Sequence, residues 1–132
     1  MQTFISSSVF NDFKEAVNLA KELGVGLEVS RFATNIDDID ETFDDKVKQM
    51  KQDLKGFKGE VSLHAMFFDL CAVSADPMIR EVSLRRFEQS LVAAQEFNAK
   101  TVVFHTGLNA TLKHAPYHLI FKKKYTAFGK SL

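Results

Sequence analysis

Apolar stretches of two kinds alternate along the chain. Short runs rich in β-branched and aromatic residues predict strands, because such side chains suit a pleated, half-buried surface. These runs are Phe4–Ile5, "GLEVSRFA" from Gly26, "EVSLHAMFFDL" from Glu60 and "TVVFHTG" from Thr101. Between them, apolar residues recur at helical spacing. The pattern therefore predicts the element order β-α-β-α-β-α-β.

Three helices are predicted between the strands. The first follows Asn11 or Asp12, either of which can accept from its free N–H groups, and it ends at Gly24, which can adopt the left-handed conformation. The acidic segment "NIDDIDETFDD" before the second helix is predicted to be a solvated loop. The second helix places on one stripe the residues Val47, Met50, Leu54 and Phe57.

The longest predicted helix begins after Asp76-Pro77, a pair typical of an N-cap residue and a proline at the first helical position. Its predicted inward-facing residues are Ile79, Leu84, Phe87, Leu91, Ala94 and Phe97. Asn98 stands where glycine often ends a helix.

Strands that are joined by helices predict a parallel sheet, because each parallel connection needs a crossover. The predicted class is α/β, with about four parallel βα units in a single domain over residues 1–132 and with the helices packed outside the sheet. Residues 111–132 are predicted to be an irregular or helical tail. Pro116 could open a fourth helix there, although Lys122–Lys124 interrupt its apolar pattern.

Two of the predicted strands lead to a histidine. His64 lies in the third strand, and His105 follows the fourth, just before Gly107. A neutral imidazole can bind a metal, act as a base or donate to a hydroxyl group, and it can also simply bond to nearby backbone. Glu28 is a charge in an apolar strand, which is costly unless it is paired or lines a polar cavity. The matching strand positions favour a site that contains both histidines.

The stretch "VSLHAMFFDL", followed by "ADPMIREVSLRRFEQSLVAAQEFNAKTVVFHTG", resembles the xylose isomerase-like TIM-barrel superfamily. This superfamily holds sugar isomerases and epimerases, inosose-type dehydratases and metal-dependent apurinic endonucleases. The resemblance covers about residues 1–110 and is most specific at the two strand-end histidines. A TIM barrel has eight βα units in roughly 250 residues. The resemblance therefore implies a partial TIM barrel, the N-terminal half, in a truncated chain.

The resemblance also implies what the site would do. It gives catalytic roles to His64, His105 and Glu28, and metal ligation to the two histidines. Complete family members use a divalent metal (Mn, Mg, Co or Zn) as a Lewis acid, with carboxylate ligands from later strands, so metal binding here is expected to be weak or absent. The implied substrate is a small sugar, sugar phosphate or polyol. The chain alone is expected to be inactive.

Two alternatives stay open. A non-catalytic half-barrel remnant would self-associate through its open sheet edges, and a homo-oligomer is expected for either half-barrel interpretation. A metal-dependent apurinic endonuclease-like nuclease is disfavoured, because 17 basic residues balance 17 acidic ones and nucleic acid is not an expected partner. Met66-Phe67 also replaces the proline and aromatic residue that the nuclease branch tends to show.

Composition bears on location and on the remaining candidates. No basic residue precedes Lys14, so a secretory signal is not predicted. No uncharged stretch reaches the roughly 18 apolar residues of a membrane span, and a cytoplasmic protein without a membrane partner is expected. The single Cys71 is interpreted as a packing residue. His114 and His118 have the spacing of two ligands on a helix, but Pro116 between them favours exposed loop histidines.

Overall fold

The computed structural model of the chain describes residues 3–108 and 115–129, and its strands form one parallel sheet. The strands are β1 (Phe4–Ser6), β2 (Gly26–Val29), β3 (Val61–His64) and β4 (Thr101–Val103). They pair in the order β1-β2-β3-β4, so β1 and β4 are the two edges of this sheet. The predicted α/β class with four parallel strands is confirmed.

Helices connect consecutive strands, as a parallel sheet requires. They are α1 (Phe13–Leu23), α2 (Arg31–Thr34), α3 (Phe43–Asp53), α4 (Pro77–Glu96) and, after β4, α5 (Ala115–Gly129). The predicted helix ends are confirmed at both ends of α1, where the Asp12 side chain accepts from the backbone N–H of Lys14 and Gly24 has φ +64°. They are also confirmed around α4, where Asp76 is the N-cap residue and Asn98 has φ 53°.

The two faces of the sheet differ in character. One face is packed with the helices in the hydrophobic core, and its strand residues are Ile5, Leu27, Val29, Val61, Leu63 and Val102. Since successive side chains of a strand point to opposite faces, the other face carries Ser6, Glu28, Ser62, His64, Thr101 and Val103. The polar face is where a site can form.

The prediction that "GLEVSRFA" is one strand is wrong in its second half. β2 ends at Val29, and Arg31–Thr34 is a short helix. The chain turns at Ser30, whose backbone N–H donates to the Ser7 hydroxyl at 2.9 Å instead of continuing a strand ladder. Phe32 is nevertheless buried, with its ring 5.2 Å from that of Phe43. Tertiary packing therefore accounts for the apolar residues that suggested a longer strand.

The acidic segment before α3 is not simply a solvated loop, because Asp38 is only 4% exposed. Its carboxylate accepts from Arg31 Nε at 2.7 Å and from Asn35 Nδ2 at 3.0 Å, and Lys46 Nζ lies 3.5 Å away. Paired charges and hydrogen bonds offset the cost of removing this carboxylate from water. Asp38 thereby fixes the connection that follows β2.

Replacement of Asp38 by alanine should lower the free energy of unfolding by about 2–3 kcal/mol, because Arg31 and Lys46 lose a buried partner while remaining partly hydrated. Urea unfolding followed by circular dichroism measures this loss. Asp37→Ala is the matched control, since Asp37 is an exposed acid of the same turn. Equal unfolding midpoints for the two variants would contradict the structural role of Asp38.

The inward face of α4 is only partly the predicted one. Phe87, Ala94 and Phe97 are buried as predicted. Ile79, Leu84 and Leu91 are exposed instead, at 44%, 39% and 44%. This part of the prediction is wrong because two serines, one turn or less from these residues, occupy the buried positions of the helix.

Those serines are Ser83 and Ser90, which are 0% and 1% exposed. The Ser83 hydroxyl accepts the backbone N–H of Cys71 at 2.8 Å, and the Ser90 hydroxyl accepts that of Met66 at 3.1 Å. Each hydroxyl also donates to a carbonyl of its own helix. A leucine at either position would leave a backbone N–H of the β3–α4 loop without this acceptor.

The tail contains the helix α5, in which Phe121 is 6% exposed and Leu119 is 69% exposed. Lys122–Lys124 continue the helix as exposed residues. His118 lies within α5 rather than in a loop, and His114 lies outside the described residues. Among the helices of the described ranges, none combines the length and apolar composition that a membrane span requires.

Candidate functional site

The three candidate residues lie at the carboxyl end of the sheet. Glu28 is the third residue of β2, His64 is the last residue of β3, and His105 lies two residues beyond the end of β4. Glu28 pairs in register with Ser62, two residues before His64, and His64 pairs with Val103, two residues before His105. The pleat therefore directs all three side chains to the polar face.

His64 contacts both of the other candidates. Its Nδ1 atom lies 3.3 Å from Glu28 Oε1, and its Nε2 atom lies 2.8 Å from Nε2 of His105. The side chains of His64 and Glu28 are 24% and 30% exposed, whereas His105 is exposed. The structure thus brings the three residues together in one chain of polar contacts across three adjacent strands.

A group of serines extends this chain to β1. The Ser6 hydroxyl donates to Glu28 Oε1 at 3.4 Å and lies 2.9 Å from the hydroxyl of Ser30. Ser7 in turn lies 3.3 Å from Ser30. Sequence reasoning missed these residues, although the run "SSS" directly after an apolar strand start was a usable signal.

Phe67 packs against both imidazoles. Its ring stacks on that of His105 with centroids 4.2 Å apart and an interplanar angle of 16°, and it is tilted against His64 at 5.5 Å. Phe68 packs on the far side of this group, with its centroid 4.3 Å from that of Phe67. These contacts restrict the orientation of the histidine rings. Nothing in the strand pattern pointed to Phe67, because it lies in the loop after β3.

Backbone contacts hold the loops that carry Phe67 and His105. The hydrogen bond from Met66 to Ser90 anchors the β3–α4 loop beside Phe67. Gly107 has φ +68°, and a Cβ atom at this position would collide with the carbonyl oxygen of Leu70. Glycine is needed here for both its conformation and its lack of a side chain. The loops after β3 and β4 are thereby packed directly on each other.

Two cavities flank these groups without containing them. A cavity of about 550 Å³ lies at the opposite, amino end of the strands and is lined by residues that include Gly59, Glu60 and Lys100. A smaller cavity of about 230 Å³ has Phe67 and Phe68 in its wall. Neither of these two cavities is lined by Glu28, His64 or His105, so larger volume does not mark the candidate site.

The candidate residues do not make a complete site for a divalent metal. Two imidazole nitrogens that share a tetrahedral ion at 2.0–2.1 Å stand about 3.3 Å apart, whereas the two Nε2 atoms are at hydrogen-bond distance, 2.8 Å. Glu28 faces the other nitrogen of His64 and so is not placed to share such an ion. Within residues 3–108 and 115–129, no group of three His, Cys, Asp or Glu residues could hold a metal.

Comparisons with known proteins bear on the fold. No protein-family model and no curated protein matches the chain. A D-tagatose 3-epimerase-like protein superposes with a TM-score of 0.74 at 17% identity, over 99% of this chain and 47% of that one. The TTHB071 protein from Thermus thermophilus, described as "soaking with ZnCl2", superposes with a TM-score of 0.64 at 23% identity, over 93% of this chain and 47% of that one.

The chain therefore spans about half the length of the two solved structures that it matches. At these identities the likeness concerns the fold. The expected half TIM barrel, similar to an epimerase-like barrel, is confirmed.

Proposed function

We propose that this chain is the N-terminal half of a sugar isomerase/epimerase-like barrel, acts on a small sugar or sugar phosphate, and is inactive alone. The observation that carries the proposal is the contact of Glu28, His64 and His105 at the carboxyl ends of neighbouring strands. Active sites of TIM barrels lie at this end of the strands. The fold matches about half of an epimerase-like barrel.

These groups suit a polyhydroxylated ligand. The Glu28 carboxylate and the Ser6 hydroxyl can accept from sugar hydroxyls, and an imidazole can accept a proton next to a carbonyl group or donate to an oxygen. The described residues lack a full set of metal ligands to polarise that carbonyl. Substrate contact without efficient turnover is therefore the proposed behaviour of the chain by itself.

Titration of isotope-labelled protein with D-tagatose and with its phosphate tests the proposed substrate class by NMR. We expect weak binding, with the largest signal changes at Glu28, His64 and His105, because these groups present exposed polar atoms on one face. His105→Ala should weaken binding, whereas the control His118→Ala, in α5, should leave it unchanged. Absence of signal changes at the three residues would contradict the proposal.

Divalent metal is proposed to bind this chain weakly or not at all. Two imidazoles are available, and the geometry of tight sites demands more ligands in fixed positions. We expect dialysed protein to retain far less than one equivalent of Zn²⁺ or Mn²⁺ when its metal content is measured. One tightly held equivalent that is lost in His105→Ala but kept in His118→Ala would show that the histidines form a working metal site.

Self-association is the second proposal, and it holds also for the alternative of a non-catalytic remnant. β1 and β4 each leave one edge unpaired within the described sheet, and unpaired edges invite pairing with another chain. Val103 on β4 is 41% exposed. The proposed partners are thus a sugar or polyol and a second copy of the chain. Nucleic acid and membrane are not among them, and the proposed location is the cytoplasm.

A further inference from the structure

We propose that Glu28, His64 and His105 form a directed hydrogen-bond relay that fixes the tautomers of both imidazoles and leaves Nδ1 of His105 as the proton-accepting atom. His105 would be the group that reacts with a substrate, and Glu28 and His64 would be positioning residues. The nature of that substrate rests on the proposed function. The direction of the relay does not, because it follows from the contacts within the chain.

The direction begins at Glu28. An ionised carboxylate has only acceptor atoms, so the nitrogen that faces it must carry a hydrogen. That nitrogen is Nδ1 of His64, 3.3 Å from Oε1 of Glu28. A neutral His64 is therefore the Nδ1–H tautomer, and its Nε2 atom has a free lone pair.

The second step passes from His64 to His105. Their Nε2 atoms are 2.8 Å apart, which is a hydrogen-bond distance. Two lone pairs would repel each other at this distance, so one of the two atoms must donate. Because Nε2 of His64 is already an acceptor, Nε2 of His105 carries the hydrogen. Neutral His105 is then the Nε2–H tautomer, with its lone pair on Nδ1.

The third step concerns access to Nδ1 of His105. The single hydrogen bond that the described residues give His105 is the one through Nε2, and the side chain is exposed. The Phe67 ring lies nearly parallel to the imidazole at 4.2 Å, which limits rotation of the ring out of this plane. Nδ1 is thus held in a defined orientation with its lone pair free to meet a ligand.

The relay gives a balanced proton transfer. When Nδ1 of His105 takes a proton from a substrate O–H or activated C–H group, the electron pair of that bond stays on the substrate. The hydrogen on Nε2 of His105 then moves to Nε2 of His64. His105 returns to neutrality, and His64 becomes an imidazolium whose Nδ1–H still faces Glu28. The positive charge ends beside the carboxylate, where it is stabilised.

Ring nitrogen-15 NMR of the full chain, in chelator and without sugar, tests the relay. We expect Nδ1 of His64 and Nε2 of His105 to give signals of protonated nitrogens, with the other two ring nitrogens unprotonated. Glu28→Ala should abolish the Nδ1–H preference of His64. Ser6→Ala is the matched control, because it removes the hydroxyl that donates to Glu28 while keeping the carboxylate, and it should leave both tautomers unchanged.

The wild-type spectrum decides the matter even if Glu28→Ala fails to fold. An unprotonated Nδ1 in neutral His64, or a protonated Nδ1 in neutral His105, would overturn the relay. Tautomers that persist in folded Glu28→Ala would show that Glu28 does not set the direction. Failure of sugar binding with the expected tautomers intact would count against the proposed function and leave the relay standing.

Discussion

The purified chain is expected to convert ketoses and ketose phosphates at no detectable rate, with or without added Mn²⁺, Mg²⁺, Co²⁺ or Zn²⁺. A Lewis-acid metal needs several ligands in fixed geometry, and the described residues contain no group of three that could hold one. Catalytic groups must also be held within about 0.5 Å of productive geometry by a supporting shell. Chromatography of sugar mixtures after long incubation measures the rate.

Supply of the missing half in trans should raise this rate, because the chain spans about half of the epimerase-like barrel that it matches. The control is His105→Ala, which should remain inactive in the same mixture. Metal-dependent turnover by the chain alone, abolished in His105→Ala and retained in His118→Ala, would show that the half-barrel assembles a complete site.

Val103→Lys is expected to convert a self-associated form of the chain into a monomer. In a closed assembly, the open edge of β4 would pair with the β1 edge of a second copy and give the eight parallel strands of a barrel. A lysine on an edge strand opposes such pairing. Light scattering at micromolar concentration measures the mass of the wild type and of the variant.

Gln52→Lys is the matched control for this experiment. It adds the same charge at an exposed position of α3, which lies between β2 and β3 along the chain, away from the two edge strands. The control should associate like the wild type. A wild-type chain that remains monomeric at this concentration would contradict the proposed association, as would equal masses for Val103→Lys and the wild type.

The order of elements could be predicted from the sequence because each depends on a local signal. Asp76 and Pro77 mark the start of α4, and the positive φ of Asn98 follows the end of that helix. The inward face of α4 could not be predicted in full. Ser83 and Ser90 are buried because their hydroxyls accept backbone N–H groups of a loop that is distant in sequence. Spacing of apolar residues carries no information about such a partner.

The candidate site divides in the same way. Strand ends of a parallel sheet meet at one edge, so the proximity of His64 and His105 followed from their positions. The stacked ring of Phe67 and the contact of Ser6 with Glu28 depend on loop conformation and on strand register. Those are set by the whole fold. The buried Asp38 is a further case, because its partner Arg31 belongs to a turn that looked like a strand.

The central claim is that Glu28, His64 and His105 converge on the polar face of a half-barrel sheet. Nuclear Overhauser contacts between aromatic ring protons test it most directly. The structure predicts contacts between the rings of His64 and His105 and between His105 and Phe67, whose centroids are 4.9 Å and 4.2 Å apart. Contacts from either histidine ring to Phe87, on the helix side of the sheet, in place of these would contradict it.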